Sequence, residues 1–208
     1  RGTFEKQATA LLGREVRVGG NASVRLLPSP YMHFDNIRIA DQTGRFDNPL
    51  IRVEGFTIWL SVAPLLRGAI EAREIELDGP DIRLSVDDQG RANWQGLAAG
   101  QASLPFMPTE VSLASVKIKN GRLAITRSGR PPLLAVEGVE GELAATGLKG
   151  PYRFKGQLDQ GGIKREIRIS TAALAPEGSL KVKAVVRAVE GANTFSFDGD
   201  LLSLDALP

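Results

Sequence analysis

The sequence predicts a mainly β fold with short helices, built on an antiparallel sheet that has one apolar and one polar face. Three observations carry this. Apolar and polar residues alternate with period two along nearly every segment, which sorts them onto opposite faces of a strand. The 23 glycines and 12 prolines stand between short apolar runs, as turns do in all-β folds. Hydrophobic residues make up 42% and charged ones 24%, enough for a folded chain that keeps a wetted face.

The first segment, Phe4 to Val16, is helical. Phe4, Ala8, Leu11 and Leu12 recur at spacings of three and four, and Gly13 closes the helix. We expect it to cap the first strands through Phe4, Leu11 and Leu12, since an uncovered sheet end invites aggregation. The alternative is a membrane-surface helix with Phe4 and Leu11 inserted and Lys6 and Arg14 at headgroups. Period two then takes over: Val24 and Leu26 form one apolar set, Ile37 and Ile39 another, and Asp41-Gln42-Thr43-Gly44 is a turn. Phe56, Ile58 and Leu60 alternate with Thr57, Trp59 and Ser61. A short helix follows, with Ser61 as cap, Pro64 in its first turn and Gly68 at its end.

Ile75 and Leu77, the turn Asp78-Gly79-Pro80, and Ile82, Leu84 and Val86 read as a hairpin. Asp87-Asp88-Gln89-Gly90 is a further hairpin connection. Residues 96–109 lack periodicity and read as a linker or crossing loop between an N-terminal unit, 1–95, and a continuation of the sheet, 110–208. Beyond it, Val116 and Ile118, the tight turn Asn120-Gly121, and Leu123 and Ile125 form another hairpin. At an offset of 41 residues (75 to 116), Ile75, Leu77, Ile82 and Leu84 fall on Val116, Ile118, Leu123 and Ile125, which suggests repeated hairpins. The alternation continues through Tyr152 and Phe154, Ile167 and Ile169, Leu180 to Val186, and Phe195 and Phe197.

Charge narrows the function classes. The 26 basic and 24 acidic residues are interspersed and leave a net charge of +2, so no basic stripe exists to bind nucleic acid. With no cysteine, disulfides and thiolate metal sites are excluded. No run approaches the ~20 apolar residues that cross a bilayer. The chain opens at Arg1, and we read it as a piece of a longer protein with its anchor or signal upstream.

An ordered set of segments resembles the N-terminal region of the AsmA family, which is related to TamB and to the bridge-like lipid transfer proteins. They are Leu11-Leu12-Gly13-Arg14-Glu15-Val16, Leu27-Pro28-Ser29-Pro30, Phe34-Asp35-Asn36-Ile37-Arg38-Ile39-Ala40-Asp41 and Leu60 to Gly68. Ile75-Glu76-Leu77-Asp78-Gly79-Pro80-Asp81-Ile82 and Gly90-Arg91-Ala92-Asn93-Trp94 complete it. The resemblance covers Phe4 to Trp94. It implies a strongly curved or U-shaped sheet with an apolar concave face, in a periplasmic protein anchored to the inner membrane of a two-membrane bacterium. It further implies that this groove carries phospholipids and supports outer-membrane homeostasis.

On that reading the groove is lined by Ile37, Ile39, Phe56, Ile58, Leu60, Ile75, Leu77, Ile82, Leu84, Val86, Val116, Ile118, Leu123 and Ile125. Its partners are phospholipid acyl chains, the inner membrane and envelope proteins. The alternative cover for these residues is a second sheet, since a β-sandwich core has the same alternation. The rival function is a module that assists outer-membrane protein assembly by receiving client strands at its sheet edges. Enzyme readings lack material, and we assign no catalytic residue, cofactor or metal. His33 is the one histidine, reads as a surface or turn residue, and has no Gly-x-Ser-x-Gly elbow beside it. Asp78, Asp81, Asp87 and Asp88 sit in turn sequences, and Asp198-Gly199-Asp200 is too short for a calcium loop. Trp59 and Trp94 read as rim or cap residues, with interfacial anchoring as the alternative.

Overall fold

Helix α1 (Gly2–Leu12) ends where Gly13 turns left-handed, φ 67°, and donates its N–H to the Thr9 carbonyl. Val16 therefore opens a strand instead of closing the helix. The structure, a computed structural model, describes residues 1–67, 72–95, 97, 113–127, 131–145, 150–173, 175, 179–189 and 193–201. Gly68 and all of the 96–109 segment except Leu97 lie outside the described residues.

Strands β1 (Val16–Val18) and β2 (Ala22–Arg25) share one edge of β3 (Tyr31–Ile39), which pairs on its other side with β4 (Ile51–Leu60). Helix α2 (Val62–Leu66) follows, then β5 (Ala72–Asp78) and β6 (Asp81–Val86). The rest is β7 (Leu113–Arg127), β8 (Leu134–Ala145), β9 (Tyr152–Gln160), β10 (Ile163–Thr171), β11 (Leu180–Ala188) and β12 (Thr194–Leu201). These twelve strands form one sheet, in which β7 to β12 run as an antiparallel meander.

Two predicted hairpins are corrected. Strands β5 and β6 both run antiparallel to β4 and parallel to β7, so the chain kinks at Gly79 (φ 56°) and Pro80 without reversing. The kink stays tied to β7: Gly79 N–H donates to the Lys119 carbonyl, and Arg122 N–H to that of Pro80. Likewise β7 runs unbroken through Asn120 (φ 52°) and Gly121. Positive φ serves a hairpin turn and a bulge equally, and the neighbouring strand decides which forms. The 41-residue offset has a different meaning from the one expected. Ile75, Leu77, Ile82 and Leu84 lie directly beside Val116, Ile118, Leu123 and Ile125 in parallel register.

The kinks line up. Asn36 (φ 53°), Gly79, Asn120 and Gly138 (φ 54°) sit in β3, between β5 and β6, in β7 and in β8. Each shifts the in–out alternation by one residue. On β3, Phe34 and Ile37 consequently share a face although they are three apart, and they join Val16, Val18, Ile39 and Val53 in one buried cluster. Phe4, Ala8 and Leu12 of α1 pack on that cluster, with Phe4 stacked on Phe34 at 4.1 Å. The helix also covers the sheet edge: the outward N–H groups of Val16 and Val18 donate to Thr9 Oγ1 and Glu5 Oε1. Arg14 reaches the Asn93 and Gln95 carbonyls, while the Asn93 side chain bonds Ser85 N–H and the Arg83 carbonyl along β6.

Candidate functional site

Register determines which side chains share a face, because residues directly opposite in a ladder point the same way. One transverse row passes from Val24 through Met32, Ile58, Ile75, Val116, Leu143, Phe154, Ile169 and Ala184 to Phe197. A second passes from Ala22 through Phe34, Phe56, Leu77, Ile118, Gly141, Gly156, Ile167 and Val186 to Phe195. Both cross ten strands without a charged or amide side chain. At about 4.8 Å per strand, each row is roughly 43 Å long.

Beyond the kinks the face continues. Val16, Ile39, Ile51, Ile82, Leu123 and Val136 form a third row, and Leu84, Ile125 and Leu134 a fourth. Val86 ends it beside Arg127. Ile37 lies opposite Val53. Leu60 ends β4, buried, with its N–H on the Pro30 carbonyl. Among these residues Ile37, Ile39, Leu60 and Val116 are buried, while Phe56, Ile58, Ile75, Leu77, Ile82, Leu84, Ile118, Leu123 and Ile125 are half-buried. Leu11, on the flank of α1, is also half-buried.

The cover over this face decides its chemistry. All twelve described strands belong to one sheet, so among the described residues no second sheet lies across the rows. Helix α1 and Leu97 cover the first few strands. At the far end Phe195 and Phe197 are 65% and 43% exposed.

Between the two ends, Gly141 and Gly156 face each other across β8 and β9. A Cβ on Gly156 would meet the Glu140 carbonyl oxygen at 2.2 Å, and the Phe154 ring lies over both glycines. The ring supplies the apolar surface that the glycines lack.

The opposite face is wet. Thr57, Glu76, Lys117, Glu142, Lys155 and Arg168 succeed one another across six strands. Diagonal ion pairs join Lys117 to Glu74 at 2.8 Å and Lys119 to Glu76 at 2.9 Å. The hydrogen bond from Lys117 to Glu74 holds the ammonium pKa above its ordinary value. His33 also lies on this face, in mid-strand and not in a turn, with Nδ1 against Thr57 Oγ1 and Nε2 against Asp35 Oδ1, both at 2.8 Å.

The sequence reading omitted Phe34, Leu143, Phe154, Ile167, Ile169 and Val186 from the lining. Alternation marks most of them, but it does not say which strands adjoin, and the rows become visible only through register. Among the described residues no cluster of His, Asp or Glu is placed to hold a metal ion, and no helix is long and apolar enough to cross a membrane.

A single broad sheet with an unbroken apolar face and a helix over one edge defines a scaffold that offers extended apolar surface instead of a closed pocket. The chain belongs to the AsmA family, whose model matches residues 1–176. The match extends past Trp94, where the resemblance read from sequence ended, through β10. A search among curated proteins finds no match to the chain.

Proposed function

We propose that the apolar face binds phospholipid acyl chains and that the protein carries or shelters lipid in the bacterial envelope. The observation that supports this most is the pair of apolar rows crossing ten strands, mostly half-buried or exposed and without a second sheet over them among the described residues. Each methylene leaving water contributes ~0.8 kcal/mol, so half-burying about fourteen of them yields roughly 5–6 kcal/mol without any polar contact. A chain held this way can slide along the face, because successive rows present the same aliphatic chemistry. Selectivity among headgroups is low on this account, since the rows carry no headgroup ligand.

AsmA membership supports an envelope role, and we place that role in the periplasm of a two-membrane bacterium, beside the inner membrane. The reading needs no catalytic step. Reception of client strands is less favoured at the β1 edge, whose outward N–H groups are already bonded to Glu5 and Thr9.

Purified protein is extracted and its lipid quantified by mass spectrometry. Wild type and Thr57→Asp, altered on the wet face, retain phospholipid, whereas Ile58→Asp and Ile118→Asp lose it with the strand content intact by circular dichroism. Equal lipid in all four would sink the proposal.

A further inference from the structure

One corner of the sheet exposes aliphatic side chains that the rows do not use. Leu26 and Leu27, in the connection from β2 to β3, are 62% and 79% exposed, and Val62 and Leu66 of α2 are 50% and 84% exposed. The two segments are neighbours. Leu60 N–H donates to the Pro30 carbonyl, and Pro30, Leu60, Val62, Pro64 and Arg73 line a shallow cavity of about 390 Å³ between them.

The exposed charge at this corner is mostly basic, and Glu74, which lies opposite Trp59, is already paired with Lys117. Arg25, Arg67 and Arg73 are exposed and take part in no ion pair among the described residues. Neither segment, 21–31 or 60–67, contains a carboxylate. Immediately behind lie Tyr31 and Trp59, side by side in register with ring centroids 5.1 Å apart. Exposed leucines, unpaired arginines and a Tyr–Trp pair form the combination that a bilayer interface rewards: aliphatic groups enter the acyl boundary, the amphipathic aromatics sit at headgroup depth, and the arginines meet phosphate. Single exposed aliphatic side chains are ordinary on a soluble surface, but three leucines and a valine at one corner beside three exposed arginines are not.

The corner is also where the groove begins. Val24, 65% exposed, is the first member of the long apolar row, and α1 runs with its N-terminus towards the same side, since Glu5 lies beside Val18 and Thr9 beside Val16.

We propose that this corner is a membrane-docking tip, in which Leu26, Leu27, Val62 and Leu66 enter an anionic bilayer while Arg25, Arg67 and Arg73 bind its phosphates. Docking there sets the start of the apolar rows against the lipid. The proposal stands apart from acyl-chain binding by the rows, because its side chains lie outside them.

Flotation with vesicles tests it, using equal parts phosphatidylcholine and phosphatidylglycerol, and phosphatidylcholine alone. Wild type floats with the anionic vesicles, and more weakly with the neutral ones. The pair Leu26→Asp and Leu27→Asp, and separately Leu66→Asp, lowers binding by more than about tenfold. Arg25→Glu with Arg67→Glu weakens it and removes its salt dependence. Ile58→Asp, which disrupts the rows, floats as wild type does. The tip changes fall on exposed side chains, so the fold of those variants persists by circular dichroism. A wild type that stays unbound, tip variants that bind like wild type, or a loss confined to Ile58→Asp would each overturn the proposal.

Discussion

Replacing Asn120 by valine tests the line of kinks that keeps the apolar face on one side. Asn120 is exposed and has φ 52°, so the substitution removes no buried contact and acts on the backbone alone. A β-branched L-residue in the left-handed region costs about 1–2 kcal/mol, whereas asparagine tolerates it and glycine adopts it freely. For a chain of this size, a loss of about 1.5 kcal/mol lowers Tm by about 3–6 °C. Valine at Arg122, an exposed position in the same strand without a positive φ, stays within about 0.5 kcal/mol of wild type, because valine suits an ordinary strand. Asn120→Gly also stays close to wild type. The assay is thermal or urea unfolding followed by circular dichroism at neutral pH. If Asn120→Val matches or exceeds wild type, β7 does not need a left-handed residue there, and the account of how Ile118 and Leu123 share a face is wrong.

Two further predictions concern packing and charge. Gly156→Ala drives a Cβ against the Glu140 carbonyl, which is backbone and cannot swing aside, so it costs about 3 kcal/mol or more by urea unfolding, while Gly161→Ala, with open space at its Cβ, costs only its positive-φ strain of about 1 kcal/mol. Asp87 and Asp41 organise turns. At Asp87 the backbone N–H and guanidinium of Arg91 lead in holding the carboxyl below its ordinary pKa; at Asp41 burial opposes the fall, and bonds from Arg45 and Thr43 outweigh it. A carboxyl whose folded pKa is depressed stabilises above the unfolded pKa and loses that contribution as pH falls through the folded one. The stability gap between wild type and the Asp41→Asn, Asp87→Asn double variant is therefore constant from pH 7 to about 5 and closes below about 4. A gap that widens on acidification contradicts the assignment.

Much of this arrangement is legible in the residues, and what is not has a physical reason. Alternation correctly assigns Ile58, Ile75, Ile118 and Ile169 to strands with a wet reverse side, because a half-solvated sheet demands it. The Asp41 and Asp87 turns are readable because their side chains close onto nearby N–H groups, a purely local device. Gly79 and Asn120-Gly121 are not, since a turn and a kink need the same dihedral angles and differ only in what the next strand does. The parallel contact of β5 and β6 with β7 leaves its trace as the 41-residue offset, yet an offset alone cannot tell stacked repeats from adjacent strands. Membership of the face from Leu143 to Val186 depends on register between β8, β9, β10 and β11, which no single strand encodes. The exposed corner at Leu26, Leu27 and Leu66 is invisible for the opposite reason: hydrophobic residues read as core until their surroundings are known.

The central claim is that lipid covers the rows wherever α1 and Leu97 leave them open, and residue-resolved photocrosslinking tests it most directly. A photoreactive aromatic residue is placed singly at Ile58, Ile118 and Ile167, which lie in β4, β7 and β10 on the apolar face, and at Thr57, Lys117 and Arg168 on the reverse. After irradiation in cells, the account predicts phospholipid adducts at the first three positions and none at the other three. Adducts on both faces, or none at Ile118 and Ile167, would contradict it.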